Sequence, residues 1–214
     1  KMVNTSSVQS LVATIQELFV DNFTTSSKLP DIKTESRSSM PELPEVETVA
    51  TRLRAVTSGR IIQSVVVVDP KLSHIIQEPS LVGLRIRAVV RHGKFLTLHL
   101  NNGHVLLMHM MLTGRILVRP AGHAQDAYLR ISFGLDRQLQ LRFCDPRRFG
   151  TVRLISPTDY LHFKSRLGIE PFSKQFKTDT LGKIFKNRTV AIKTVLLNQS
   201  LIAGVGNIYA DEGL

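Results

Sequence analysis

The sequence predicts an α+β fold: an antiparallel β-sandwich or barrel domain opened by a helix and followed by the start of a helical domain. Two observations predict it. Between Arg60 and Ile155 the apolar residues alternate with a period of two in short runs, and on both sides of that region they switch to helical spacing. The chain has 214 residues, 43% of them hydrophobic, so it is long and apolar enough to bury a sizeable core. No run reaches the roughly 18 apolar residues of a membrane-spanning helix, and no membrane partner is expected.

The elements follow in order. Val8, Leu11, Val12, Ile15, Leu18 and Phe19 lie at helical spacing within a Ser/Thr-rich stretch, so a helix is expected over Val8–Val20. Residues 1–39 as a whole are read as an extension with no assigned function that packs little against the rest, because their neutral, hydroxyl-rich character gives few anchors. From Pro41 the texture changes. Pro44 sits near a helix start, Glu45 and Glu47 fall in its first turn, and Val46, Val49, Leu53 and Val56 share a face. Strands are expected at Arg60–Asp69, Leu84–Arg91, Phe95–Leu100, His104–Leu112, Arg115–Arg119, Ala127–Phe133, Gln138–Phe143 and Thr151–Ile155. Asn101-Asn102-Gly103 supplies a hairpin turn. Helices return at Thr158–Leu167, Thr178–Lys186 and Thr189–Asn198, with a last one near Asn207. The domains are therefore drawn as 1–39, a β domain over 41–166, a linker over 167–174 and a helical domain over 175–214.

Charge points to a polyanion. Lys and Arg number 28 against 17 Asp and Glu, a net charge of +11, and the first 39 residues contribute nothing to it. Between Arg85 and Arg153 twelve basic residues, eleven of them arginine, face three acids, which suits a phosphate backbone. The single cysteine, Cys144, excludes an internal disulfide and a four-thiolate metal site.

The stretch Met40-Pro41-Glu42-Leu43-Pro44-Glu45-Val46-Glu47-Thr48 bears chemistry only if Met40 is removed. Pro41 would then carry a secondary amine with a pKa near ~8, a nucleophile that forms an iminium directly with a sugar carbon, and Glu42 could shuttle the protons. Gly204-Val205-Gly206-Asn207 opens a helix whose free amides suit an anion. Taken singly, each motif has a plainer reading. Lys94 would be a solvated lysine, Phe149 and His109 core residues, Glu45 a complement to a helix end, and Asp145-Pro146-Arg147-Arg148-Phe149-Gly150 a turn whose arginines serve the carboxylate.

Together and in order these motifs resemble the formamidopyrimidine-DNA glycosylase family of base excision repair. The resemblance runs from Pro41 to Leu214 through PELPEVET at Pro41–Thr48, GKFL at Gly93–Leu96, CDPRRFG at Cys144–Gly150, LGIEP at Leu167–Pro171, AIK at Ala191–Lys193 and AGVGNIYADE at Ala203–Glu212. It implies a bifunctional DNA glycosylase and AP lyase that excises oxidised purines through a proline Schiff base, with Pro41, Glu42 and Lys94 catalytic. It further implies that Lys193, Asn207, Glu45 and Arg148 serve DNA binding, and that Leu112, Arg147 and Phe149 fill the gap left by a flipped nucleotide. Leu112 stands where the family carries methionine, and leucine is still an apolar wedge. The partner implied is double-stranded DNA containing oxidised bases, bound by a monomer in a bacterial cytoplasm, at the nucleoid.

Two departures carry expectations of their own. Residues before Pro41 make its nitrogen a tertiary amide, so the intact chain is not expected to form a borohydride-trappable adduct, and a catalytically inactive DNA-binding remnant is the rival reading. The family's four-cysteine zinc ribbon and the rest of its helix–two-turn–helix region have no counterpart before Leu214, so no cofactor is expected in this chain.

Overall fold

The computed structural model describes residues 5–24, 40–76, 80–186 and 188–214. The Ser/Thr-rich segment 25–39 of the extension lies outside the described residues, as do 1–4. Helix α1 covers Thr5–Thr24 and α2 Leu43–Thr57. Eight strands follow: β1 (Ile62–Val67), β2 (Ile86–His92), β3 (Phe95–Leu100), β4 (Val105–His109), β5 (Arg115–Pro120), β6 (Leu129–Leu135), β7 (Leu139–Cys144) and β8 (Thr151–Ile155). The chain then forms α3 (Pro157–Ser165), α4 (Thr178–Phe185), α5 (Ile192–Leu197) and α6 (Asn207–Glu212). A 3-10 turn over Pro70–Ile76, which the alternation did not signal, caps the β1 side and buries Leu72 and Ile75.

The strands form two four-stranded antiparallel sheets, in the orders β1-β6-β7-β5 and β2-β3-β4-β8. Period-two alternation puts Leu96, Leu98 and Leu100 of β3 and Ile131, Phe133 and Leu135 of β6 into one core between the sheets, closed at its end by Val46, Ala50 and Leu53 of α2. The hairpin at Asn101–Gly103 forms as expected, with Gly103 in the left-handed region at φ 86°.

The second core corrects an expectation. Helix α1 does not pack loosely: Val8, Leu11, Val12, Ile15 and Phe19 are buried with Leu43, Phe176, Leu181, Phe185, Val195, Leu196, Ile202, Val205, Tyr209 and Ala210. Helix α1 thus completes the core of the helical domain. Phe19 stacks on Tyr209 with ring centroids 4.6 Å apart and meets Phe172 edge-on at 5.6 Å, and Gln16 donates from Nε2 to the Pro171 carbonyl at 3.2 Å. The apolar stripe of α1 was legible as a stripe, but its seat was not, because all the partners named except Leu43 lie more than 150 residues away. Around the seat the linker adds a parallel bridge, Ile169 with Ile202. Gly168 is required there, since a Cβ would strike the Leu201 and Ile202 backbone.

Candidate active site

The start of α2 lies where the two cores meet. Leu43 N–H donates to the Gly204 carbonyl at 3.2 Å, which pins the N-terminus of α2 to the loop before α6. Glu42, 2% exposed, then directs its carboxylate onto the first amides of α6, accepting from Gly206 at 2.6 Å, Ile208 at 2.9 Å and Tyr209 at 3.4 Å. Free amides at a helix start are ready donors to an anion. The anion they hold here is the protein's own carboxylate. Glu45 supports it from one turn on: Oε2 accepts from the Glu42 amide at 3.0 Å and Oε1 accepts from the Tyr209 hydroxyl at 3.1 Å. Burial, with Glu45 alongside, pushes the Tyr209 hydroxyl up, so it remains a donor.

Lys94 approaches the same point from the turn between β2 and β3. Its backbone is set by Arg91, which bridges Glu47 and Glu170 at 2.7 Å each, while Glu170 also accepts from the Gly93 amide at 2.7 Å. Lys94 is 9% exposed. Burial pulls its ammonium below the ordinary lysine range, and Glu42 and Glu45 pull back the other way. For Glu42, burial raises the carboxyl above its usual range against the opposing pull of the α6 amides and Lys94. Gly206 shows how close the groups stand: a Cβ there would come within 2.5 Å of Glu42 Oε1 and 2.6 Å of Lys94 Nζ.

These side chains line a cleft of about 990 Å³ between the domains, which also takes in Met40, His109, Met111, Leu112, Arg153, Arg166 and Asn207. Pro41 joins two of the lining residues, Met40 and Glu42, and its nitrogen is acylated by Met40. His109 was read from the sequence as a core residue. It is buried but belongs to the cleft, where its Nδ1 accepts from the Met111 amide at 3.0 Å, and burial, with Lys94 adding to it, lowers it to about 4.

The gap-filling residues come from two turns. Leu112 lies in the Met111–Gly114 turn, where Met111 takes a positive φ of 51°. Arg147 and Phe149 are exposed in the turn after β7, with the guanidinium 4.8 Å from the Phe149 ring centroid. Asp145, 1% exposed, ties the two turns together: it accepts from the Thr113 hydroxyl at 2.5 Å, the Arg147 amide at 3.2 Å and the Gly150 amide at 2.7 Å. Its partners are therefore amides and a hydroxyl rather than the arginine side chains expected. Arg148 instead bonds the buried Asp69 at 2.9 Å, alongside Arg130, and the Arg148 hydrogen bond brings Asp69 down to about 2. Lys193 reaches Asp211 at 2.5 Å on the exposed face of α5.

The structure thus brings Glu42, Lys94, Leu112 and Asn207 together around one cleft, with Glu45 supporting Glu42 from behind. Arg147, Phe149, Arg148 and Lys193 stand outside its lining. The linear motifs gave no role to Asp69, Glu170 or Tyr209, and read Asp145 only as the partner of the two arginines that follow it. Asp69 gave no signal, because its partners come from β6 and the turn after β7. Among the described residues no three His, Cys, Asp or Glu side chains are placed to hold a metal. Cys144, the chain's single cysteine, is buried, and burial pushes its thiol up to about 11. The donor set of a four-cysteine zinc site does not exist in this chain.

Family models match twice: the formamidopyrimidine-DNA glycosylase N-terminal domain over residues 40–152 and the formamidopyrimidine-DNA glycosylase H2TH domain over 167–214. The chain belongs to the formamidopyrimidine-DNA glycosylase family. Formamidopyrimidine-DNA glycosylases of Desulforamulus reducens and Pelotomaculum thermopropionicum are 37% and 39% identical over 185 residues, covering 82% of this chain. The chain spans 66% of the length of each. Among solved structures, the Lactococcus lactis enzyme bound to DNA containing an AP site is similar with a TM-score of 0.72 at 31% identity, over 79% of this chain and 67% of that one. A complex of a variant of that enzyme with DNA containing Fapy-dG gives 0.71 at 30%, over 80% and 65%. Family membership and the α+β architecture agree with the sequence reading. No helix among the described residues is long and apolar enough to cross a membrane.

Proposed function

We propose that the cleft is the base-excision site of a DNA glycosylase with AP lyase activity, acting on oxidised purines (8-oxoguanine and formamidopyrimidines) in duplex DNA, with Pro41 as the nucleophile. The observation that carries the reading is the meeting of the Glu42 carboxylate and the Lys94 amine beside Pro41, on a cleft between the two domains. Once freed from Met40, the Pro41 nitrogen attacks C1′ of the damaged nucleotide and the base leaves. Glu42, whose carboxyl burial raises, delivers a proton to the sugar ring oxygen and later takes one from C2′. Lys94 holds a phosphate beside the lesion, as do Asn207 at the start of α6 and Lys193 once it leaves Asp211. Leu112, Arg147 and Phe149 occupy the vacated stack, held in relation to each other by Asp145. That the related Lactococcus lactis enzyme was solved on AP-site and Fapy-dG DNA supports this class of substrate.

A second reading has its own observation. With Met40 acylating Pro41, the nitrogen has no lone pair to give, so the intact chain would bind DNA without excising a base.

The two are separated with a severed protein: residues 1–39 as one polypeptide, so that α1 keeps its seat, and a second polypeptide starting at Met40, whose initiator methionine is removed ahead of proline. Thermal unfolding first establishes that the pieces assemble. Release of 8-oxoguanine from a duplex, abolished by Glu42→Gln with duplex affinity retained, is expected. Release by the severed protein with none by the uncut chain supports the block by Met40; an assembled protein that binds the duplex and releases nothing although Pro41 is free overturns the excision reading and leaves DNA binding alone.

A further inference from the structure

The intact chain was expected to be silent toward sugars because its proline nitrogen is an amide. The structure places an amine on the same cleft. Lys94 is the one lysine among the described residues lining the cleft; the other cations there, Arg153 and Arg166, are guanidinium groups and do not add to carbonyls. Its Nζ and the Glu42 carboxylate both crowd the point where a Gly206 side chain would lie, so an amine and a proton carrier share one pocket wall. The amine is fixed from behind, since the Arg91–Glu170 pair and the Gly93 amide bonded to Glu170 set the backbone from which it projects. An amine and an adjacent carboxylate on one cleft are what imine chemistry on an aldehyde needs.

We infer that Lys94 is itself a nucleophile, giving the intact chain, with Pro41 acylated, a strand-cleaving activity on preformed abasic sites. This rests on the reading of the cleft as a site for damaged DNA and extends it to a substrate from which the base is already gone. In the ring-opened abasic sugar the Lys94 lone pair adds to C1′, and the carbonyl oxygen takes a proton from Glu42. Water leaves as the nitrogen lone pair closes a C=N bond, giving an iminium. The Glu42 carboxylate removes a C2′ proton, the released pair forms C2′=C3′, and the C3′–O bond breaks with departure of the phosphate. Water then hydrolyses the iminium and returns the free amine. No oxidant, reductant or metal enters. Burial favours the neutral amine that the first step requires. A primary amine suits the aldehyde of an abasic site, whereas displacement of an intact base is left to Pro41.

The experiment uses the intact 1–214 chain, its mass confirming that Lys1 and Met40 are retained, with a duplex containing one abasic site and borohydride. Affinity for a duplex carrying a non-reactive tetrahydrofuran site is measured in parallel. A covalent adduct is expected, and peptide mapping of the reduced product should place it on Lys94. Lys94→Arg keeps the positive charge but removes the nucleophilic amine, and should lower the adduct yield per bound duplex at least about tenfold, the tetrahydrofuran-duplex affinity of the variant being measured so that any loss of binding is divided out. Binding without any adduct, or an adduct mapped to another amine, overturns the Lys94 assignment and leaves the reading of the cleft standing. Failure of the folded chain to bind the tetrahydrofuran duplex overturns both.

Discussion

Replacing Phe19 with alanine tests whether α1 belongs to the fold. The Phe19 ring is fully buried, stacked on Tyr209 at 4.6 Å and edge-on to Phe172 at 5.6 Å. Truncating a buried phenylalanine costs about 3–5 kcal/mol through lost transfer energy and the cavity left behind, and about 0.5–1.5 kcal/mol of the aromatic contact goes with it. A domain is held by about 5–15 kcal/mol in total, so the loss is a large share of the helical domain's margin. It should also reach the cleft. Tyr209 is the ring under Phe19, its hydroxyl holds Glu45 and its amide faces Glu42. Urea unfolding, read together with hydrogen exchange resolved by segment, checks this. Phe19→Ala should destabilise the α4 to α6 segment by at least about 3 kcal/mol and speed its amide exchange, with the β-sheets changed far less. Val20, half exposed on the same helix, is the control, and Val20→Ala should cost less than about 0.5 kcal/mol. A Phe19→Ala cost below about 1 kcal/mol with unchanged exchange in α5 and α6 would refute the placement of α1 in the second core.

Two further outcomes follow from the same geometry. Gly206→Ala puts a methyl group onto the Glu42 carboxylate and Lys94 Nζ, so it should cost about 1–3 kcal/mol and impair the cleft's chemistry more than its DNA affinity; wild-type stability and rate in this variant would count against the close approach. Stability should fall on acidification in two windows. His92 and His109 are held to about 4 chiefly by burial, so the stability their neutral forms contribute is complete above about 6.5 and is lost as pH falls from there to about 4. Asp69, lowered to about 2 by its bond to Arg148, contributes stability above 3.8 that is lost between 3.8 and about 2. Melting temperature against pH reads both. His92→Gln should shrink the upper window, leaving the part due to His109, and should not alter the lower one; an unaltered profile would contradict the packing of His92 against Tyr160.

The β domain was legible in the sequence because its apolar residues recur with a period of two in short runs bounded by turn residues; Phe95–Leu100 and Thr151–Ile155 were bounded to the residue. Boundaries slipped where a strand ends in a turn that carries function. His104–Leu112 was read through to the wedge, but β4 stops at His109 because Met111 bends away at positive φ. The 3-10 turn at Pro70–Ile76 has no period-two signal and stayed hidden. Within the site, Glu42, Lys94 and Asn207 were found through linear motifs. What held them in place was not, since Tyr209, Glu170 and Asp69 act across 79 to 164 residues of sequence. The basic stretch was legible as charge but not as surface. Arg91, Arg119, Arg130, Arg142 and Arg148 are all committed to carboxylates of the chain, so the phosphate-facing charge is smaller than the sequence count suggests.

In the proposed mechanism, amine chemistry on a deoxyribose takes place on the cleft where Glu42 and Lys94 meet, next to Pro41 in the chain. Mapping the borohydride-reduced adduct in the severed, assembled protein on 8-oxoguanine duplex tests it most directly, because the modified residue is identified by mass. A single adduct on the nitrogen of Pro41, formed after base release and lost in Glu42→Gln, is expected. An adduct on a residue outside the cleft, or base release undiminished by Glu42→Gln, would contradict it.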